Sequence, residues 1–166
     1  MSHAELDLLQ VIALRQDLLQ EPACERLHTI TSSVLDFAWM ETLRSSRPRA
    51  CLLLAEGVLP YFQEVDVRRL ILALKEYLPG AEIVFDAMTP LLLWLHNLQL
   101  ATRKVKARLA WGLNDEHALE TWGADIRLRE AWHYFDKPEP RLGFSNLFRY
   151  IPPLGQGAKI LHYRLG

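Results

Sequence analysis

Apolar positions along this chain recur in two rhythms, one of strands and one of helices. Ala50 to Ala55 is a nearly unbroken apolar run. It predicts a central strand covered on both faces, as in a parallel sheet flanked by helices. Ala81 to Ala87, with Ile83, Val84 and Phe85 at its heart, predicts a second strand. Between them Val67, Leu70, Ile71, Leu74 and Leu78 fall at helical spacing and predict a helix from Glu64 to Leu78. Glu64 and Asp66 suit its first turn and Pro79-Gly80 its end. Upstream, His3 to Leu8 and Leu27 to Thr31 read as strands, separated by a helix from Leu9 to Leu19 that Pro22 closes. Phe37 to Arg44 reads as one or two helical turns, and Ser45 to Arg49 as a polar loop. Downstream, Thr89-Pro90 reads as a helix cap, with the helix running to Lys106. Glu116 to Thr121 reads as a helix, and Ile126 to Tyr134 and Ala158 to Leu165 as strands. This alternation argues for βαβ units and an α/β fold.

Composition narrows the class. The chain has 166 residues, half of them hydrophobic, and a net charge of −1. That is enough for one domain, residues 1–166, with a real core. The balanced charge gives no general pull toward nucleic acid or acidic membranes. Cys24 and Cys51 are the only cysteines, and a disulfide framework does not fit their placement, so a cytoplasmic setting is expected. Met1-Ser2-His3 leads into strand-like sequence without a basic leader, and Leu91 to Leu95 is too short to span a bilayer.

Three segments occur in order: Glu5-Leu6-Asp7-Leu8, Ser32-Ser33-Val34-Leu35-Asp36-Phe37-Ala38-Trp39-Met40, and Ala55-Glu56-Gly57-Val58-Leu59-Pro60-Tyr61-Phe62. Together they resemble the leucine carboxyl methyltransferase family, which includes the tetracenomycin-type polyketide O-methyltransferases. The resemblance runs from about Glu5 to the C-terminus. It implies a Rossmann-like fold, S-adenosylmethionine (SAM) as cofactor, and methyl transfer to a carboxylate or hydroxyl oxygen of a small polyketide-type acceptor. It also implies roles for four residues. Asp7 matches the family's ribose-binding aspartate, Ser33 and Val34 fall where the adenine is held, and Glu56 matches a glutamate near the methionine portion of the cofactor. The residues themselves permit this chemistry. An acid at a strand's carboxyl end can accept from both ribose hydroxyls, and a carboxylate offsets the charge of a sulfonium. They also permit plainer readings: Asp7 and Glu56 as solvated strand ends, and Ser33 as a turn, with Asp36 capping the helix after it. The family often has proline after Asp-Leu where this chain has Leu9, and often an acid where it has Ser33.

The front of the expected domain is not in the sequence. A Rossmann nucleotide site opens with a strand and a glycine-rich turn at a helix N-terminus. Among the eight glycines only Gly155-Gln156-Gly157 forms a G-x-G, and it reads as a turn before the last strand. The chain therefore reads as the C-terminal part of a longer methyltransferase, lacking the strand that sits between the second and fourth. The strands near Leu6 and Leu53 then need other partners for their backbone groups, and pairing with a second copy is one route.

Other chemistry is poorly supported. His3, His28, His96, His117, His133 and His162 show no metal-ligand spacing, and no metal site is expected. His133 or His96 could serve as a general base. Tyr61 reads as a half-buried aromatic, and the tryptophans of the C-terminal half as acceptor-pocket or core residues. Arg103, Lys104, Lys106 and Arg108 suit a helix end, with no aromatic partners that would make a nucleic-acid patch. A non-catalytic, partner-binding remnant is the rival reading. A nicotinamide oxidoreductase would lack its glycine fingerprint equally.

Overall fold

The computed structural model describes residues 3–19, 27–45 and 50–166. Expectations resting on Met1-Ser2, Pro22, Cys24 and residues 46–49 lie outside these. The chain divides into two compact units, Met1–Pro48 and Arg49–Gly166.

The first unit is a strand–helix–strand element. β1 (His3–Asp7) and β2 (Leu27–Thr31) pair in parallel, with His3 opposite Leu27 and Asp7 opposite Thr31. α1 (Leu9–Leu18) follows β1. The strands and the helix stand where the sequence predicts them. Glu5 and Arg15 form an ion pair that ties β1 to α1. α1 buries none of its side chains, although Leu9, Val11, Leu14 and Leu18 are apolar. α2 (Ala38–Ser45) is short and buries Trp39 and Met40. The Asp36 carboxylate accepts the Ala38 N–H at 3.3 Å, the capping role its position predicts.

The second unit is built on a four-stranded sheet in the order β3-β4-β6-β5. β3 (Leu52–Ala55) and β4 (Ala81–Met88) are parallel, joined by the crossover helix α3 (Glu64–Tyr77). β6 (Ala158–Leu165) runs antiparallel to both β4 and β5 (Ile126–His133). β5 therefore points the same way as β3 and β4. The β3-α3-β4 unit is the parallel βαβ unit that the sequence predicts, and β6 makes the sheet mixed. Between β5 and β6 lie 3-10 turns and the single-turn α5 (Pro152–Gly155), with no long crossover helix to return the chain to a parallel start.

All five apolar positions of the predicted α3 stripe are buried. Alternate residues of β4 (Ala81, Ile83, Phe85 and Ala87) and of β6 (Leu161, Tyr163 and Leu165) are buried too. Phe85 stacks on Tyr163 with centroids 5.9 Å apart and meets Trp111 at 6.0 Å. Thr89 caps α4 (Pro90–Thr102), accepting the Leu92 N–H, as its Thr-Pro sequence predicts. α4 stops short of Lys106. Lys104 has a φ of 56°, outside the helical range, so most of the basic cluster follows the helix instead of belonging to its last turn.

One expectation is overturned. The Ala50 to Ala55 run does not form a central strand covered on both faces. β3 is the edge of its sheet, with Leu52 54% and Leu54 74% exposed. Among the described residues nothing pairs with its outer edge. Apolar character favours burial, but burial needs a neighbouring element, and among the described residues no strand pairs on that side.

Candidate functional site at the strand ends

In each unit the candidate residues stand at the carboxyl ends of parallel strands, where open α/β sheets bind ligands. In the first unit Asp7 ends β1, and Ser32-Ser33-Val34 follows the end of β2. The Ser32 N–H donates to the Asp7 carbonyl at 3.1 Å, so the two strand ends are joined directly. Asp7 Oδ1 accepts the N–H of its neighbour Leu8 at 2.7 Å. Ser33 Oγ accepts the Leu35 N–H at 3.3 Å, the turn geometry its plainer reading anticipates. The Val34 carbonyl accepts the indole N–H of Trp39 at 3.2 Å. Asp7, Ser33 and Val34 thus share one end of one small sheet.

Glu56 belongs to the second unit. It follows β3 directly and is exposed. Gly57 beside it has a φ of 63°, a left-handed turn that glycine adopts without steric cost. The Gly57 N–H donates to Asp86 Oδ1 at 2.7 Å, crossing from the end of β3 to β4. The chain then makes a 3-10 turn, Leu59–Tyr61, whose Leu59 and Pro60 are buried. The Pro60 carbonyl accepts the N–H groups of Ala110 and Trp111. Asn97 of α4 pins this returning loop through both the N–H and the carbonyl of Leu109, at 2.9 and 2.8 Å. Gly112 passes so close to the end of β4 that a Cβ would lie 3.1 Å from the Met88 carbonyl oxygen. Tyr61 is half-exposed, as expected.

The end of β5 opens onto a groove of about 620 Å³, lined by Trp132, His133, Tyr134 and the 136–141 segment. His133 lies between two carboxylates, Glu116 at 3.5 Å and Asp136 at 3.7 Å. Partial burial raises the Tyr134 phenol above its usual range, and the charges of Asp86 and Glu56 push it further the same way. Lys159 of β6 is buried, 3% exposed, and donates to the Asn114 carbonyl at 3.2 Å. Burial lowers its pKa, while Glu116 and Asp115 oppose the shift.

Sequence reasoning missed Asp86 and Tyr134. Asp86 sits in an apolar strand, and its partner is 29 residues away, so no local pattern exposes the bond. Trp111 and Trp122, by contrast, pair with each other at 6.3 Å, with Trp111 buried in the core, whereas Trp132 lines the groove.

No protein-family profile matches the chain. It is 31% identical, over 96% of its length, to the tetracenomycin polyketide synthesis O-methyltransferase TcmP of Streptomyces glaucescens. It is 28% identical, over 76% of its length, to the S-adenosyl-L-methionine-dependent methyltransferase dpfgK of Gibberella zeae. It spans 60% of the first of these proteins and 45% of the second. Its fold matches that of an S-adenosylmethionine-dependent methyltransferase from Mesorhizobium loti with a TM-score of 0.63. That match covers 98% of this chain and 80% of the other at 14% identity. The chain is thus similar in sequence to the tetracenomycin enzyme over about three fifths of that protein's length, and its fold matches the Rossmann-like fold of solved SAM-dependent methyltransferases.

Proposed function

We propose that this chain is part of a SAM-dependent O-methyltransferase of the leucine carboxyl methyltransferase family. It would transfer a methyl group to a carboxylate or hydroxyl oxygen of a small polyketide-type molecule. The observation that carries this reading is the 31% identity to the tetracenomycin enzyme across nearly the whole chain. Residues 1–166 are then one portion of a methyltransferase domain, acting in the cytoplasm. Asp7 takes the ribose hydroxyls, Ser33 and Val34 border the adenine, and Glu56 faces the methionine portion.

Each side chain suits the part of the ligand given to it. A carboxylate at a strand end accepts from a diol, a backbone-anchored serine turn suits an adenine edge, and an exposed carboxylate suits a cation. When bound, the cofactor supplies the methyl group on a cationic sulfur. The chain's own contribution is to orient and to hold charge, because an in-line methyl displacement depends chiefly on positioning. The groove beside Tyr134 supports an acceptor of small-molecule size. The open edge of β3 supports a further strand pairing there, from a second copy in the homo-oligomeric form of this reading.

Isothermal titration with SAM tests the proposal. Binding by the wild-type chain is expected, with Asp7→Asn and Glu56→Gln each weakening it by about tenfold, the scale of one hydrogen bond or ion contact to a charged group. A silent titration at high protein concentration would leave a non-catalytic, partner-binding protein as the better reading.

A further inference from the structure

From the bond between the ends of β3 and β4 we infer that Asp86 is a positioning residue: it holds the turn that aims the Glu56 carboxylate. The value of that aim rests on the role given to Glu56 above. The bond itself rests on geometry alone.

Glu56 is the last residue before a left-handed turn at the open edge of a sheet, and nothing pairs with β3 from outside among the described residues. Beyond it the chain is anchored by the buried Leu59 and Pro60. Gly57 itself faces open space, since a Cβ added there would meet nothing within 4 Å. The 2.7 Å bond from the Gly57 N–H to Asp86 Oδ1 is the side-chain restraint at this point. Its acceptor is a charged group, which makes it both shorter and stronger than a neutral bond. Asp86 is itself fixed, because it lies within β4, opposite Ile160 in the antiparallel ladder to β6. The restraint therefore runs from an inner strand to an edge strand. A carboxylate bonded to the amide that directly follows Glu56, yet carried by a different strand, sets the Glu56 direction without touching a ligand.

The test uses the whole chain and three variants. In Asp86→Ala the Gly57 amide should exchange with solvent about tenfold faster, and SAM affinity should fall by a similar factor, the scale of one lost charged hydrogen bond. Asp86→Asn keeps an acceptor oxygen and should restore both toward wild type, which a role in bulk charge alone would not allow. Glu56→Gln should leave Gly57 exchange unchanged while weakening SAM binding. Unaltered Gly57 exchange in Asp86→Ala, or failure of Asp86→Asn to restore it, would overturn the inference. Should Asp86→Ala fail to fold, acid titration of the wild-type chain by NMR decides: the Gly57 amide resonance should move with the Asp86 carboxyl carbon, and independent titrations would overturn the assignment. A chain that binds no SAM would remove the functional reading, while the exchange and titration results would still judge the Asp86 bond.

Discussion

Lys159 and Tyr163 lie on the same strand, and burial acts on their protons in opposite directions. It favours loss of the lysine proton and retention of the phenol proton, which is held well above the ordinary tyrosine range. The Tyr163 hydroxyl also donates to the Glu116 carbonyl. The sign of each effect on stability follows from comparison with the unfolded chain. A tyrosine whose folded pKa is raised contributes stability that is present below the unfolded value, about 10, and is lost as pH rises beyond it. A lysine whose folded pKa is lowered gives the opposite slope: stability increases with pH between the folded and unfolded values. Tyr163→Phe should therefore flatten the loss of stability above about pH 10 while costing about 1–3 kcal/mol near neutrality, because the Glu116 carbonyl loses its buried donor. Urea unfolding at several pH values measures both. An alkaline profile identical to wild type would show that Tyr163 does not contribute this slope.

Among the elements, α3 supplies the clearest stability prediction. Leu74 is fully buried and part of the helical stripe over the sheet. Leu74→Ala should destabilise the chain by about 2–5 kcal/mol, through lost burial and the cavity left behind. Thermal or urea denaturation measures this, and a change below about 0.5 kcal/mol, the range of ordinary surface substitutions, would contradict the packing described. The same stripe shows what the sequence makes legible. Helical spacing, acidic first-turn residues and Pro79-Gly80 are local signals, and they place α3 to within a residue of its observed end. The Thr89 cap and the Gly155–Gly157 turn are local in the same way. Coverage of β3 is not local. The apolar run Ala50 to Ala55 states a preference for burial but cannot say which neighbours exist to provide it. The Asp86–Gly57 bond is equally invisible in sequence, because it depends on the register that places β3 beside β4.

Across the molecule, the two units differ in how much they bury. β1, β2 and α1 form a small element whose helix has no buried residue, whereas β4 and β6 lie inside a sheet with a continuous aromatic and aliphatic core. Amides of β1 and β2 should therefore exchange with solvent far faster than those of β4 and β6, since local opening costs least where few apolar contacts must break. Hydrogen–deuterium exchange by mass spectrometry checks this, and equal protection in the two units would refute it. The outward Leu52 and Leu54 carry a second expectation at this scale. Leu54→Lys should reduce concentration-dependent self-association, as sedimentation velocity would show, because a lysine on an edge strand discourages pairing with another chain. Left unmodified, Leu52-Leu53-Leu54-Ala55 is a short aliphatic ladder without proline or charge, open along one side among the described residues. Concentrated solutions should then be seeded into fibrillar ribbons from this rim, and thioflavin fluorescence during storage would reveal the shelf life of the purified protein.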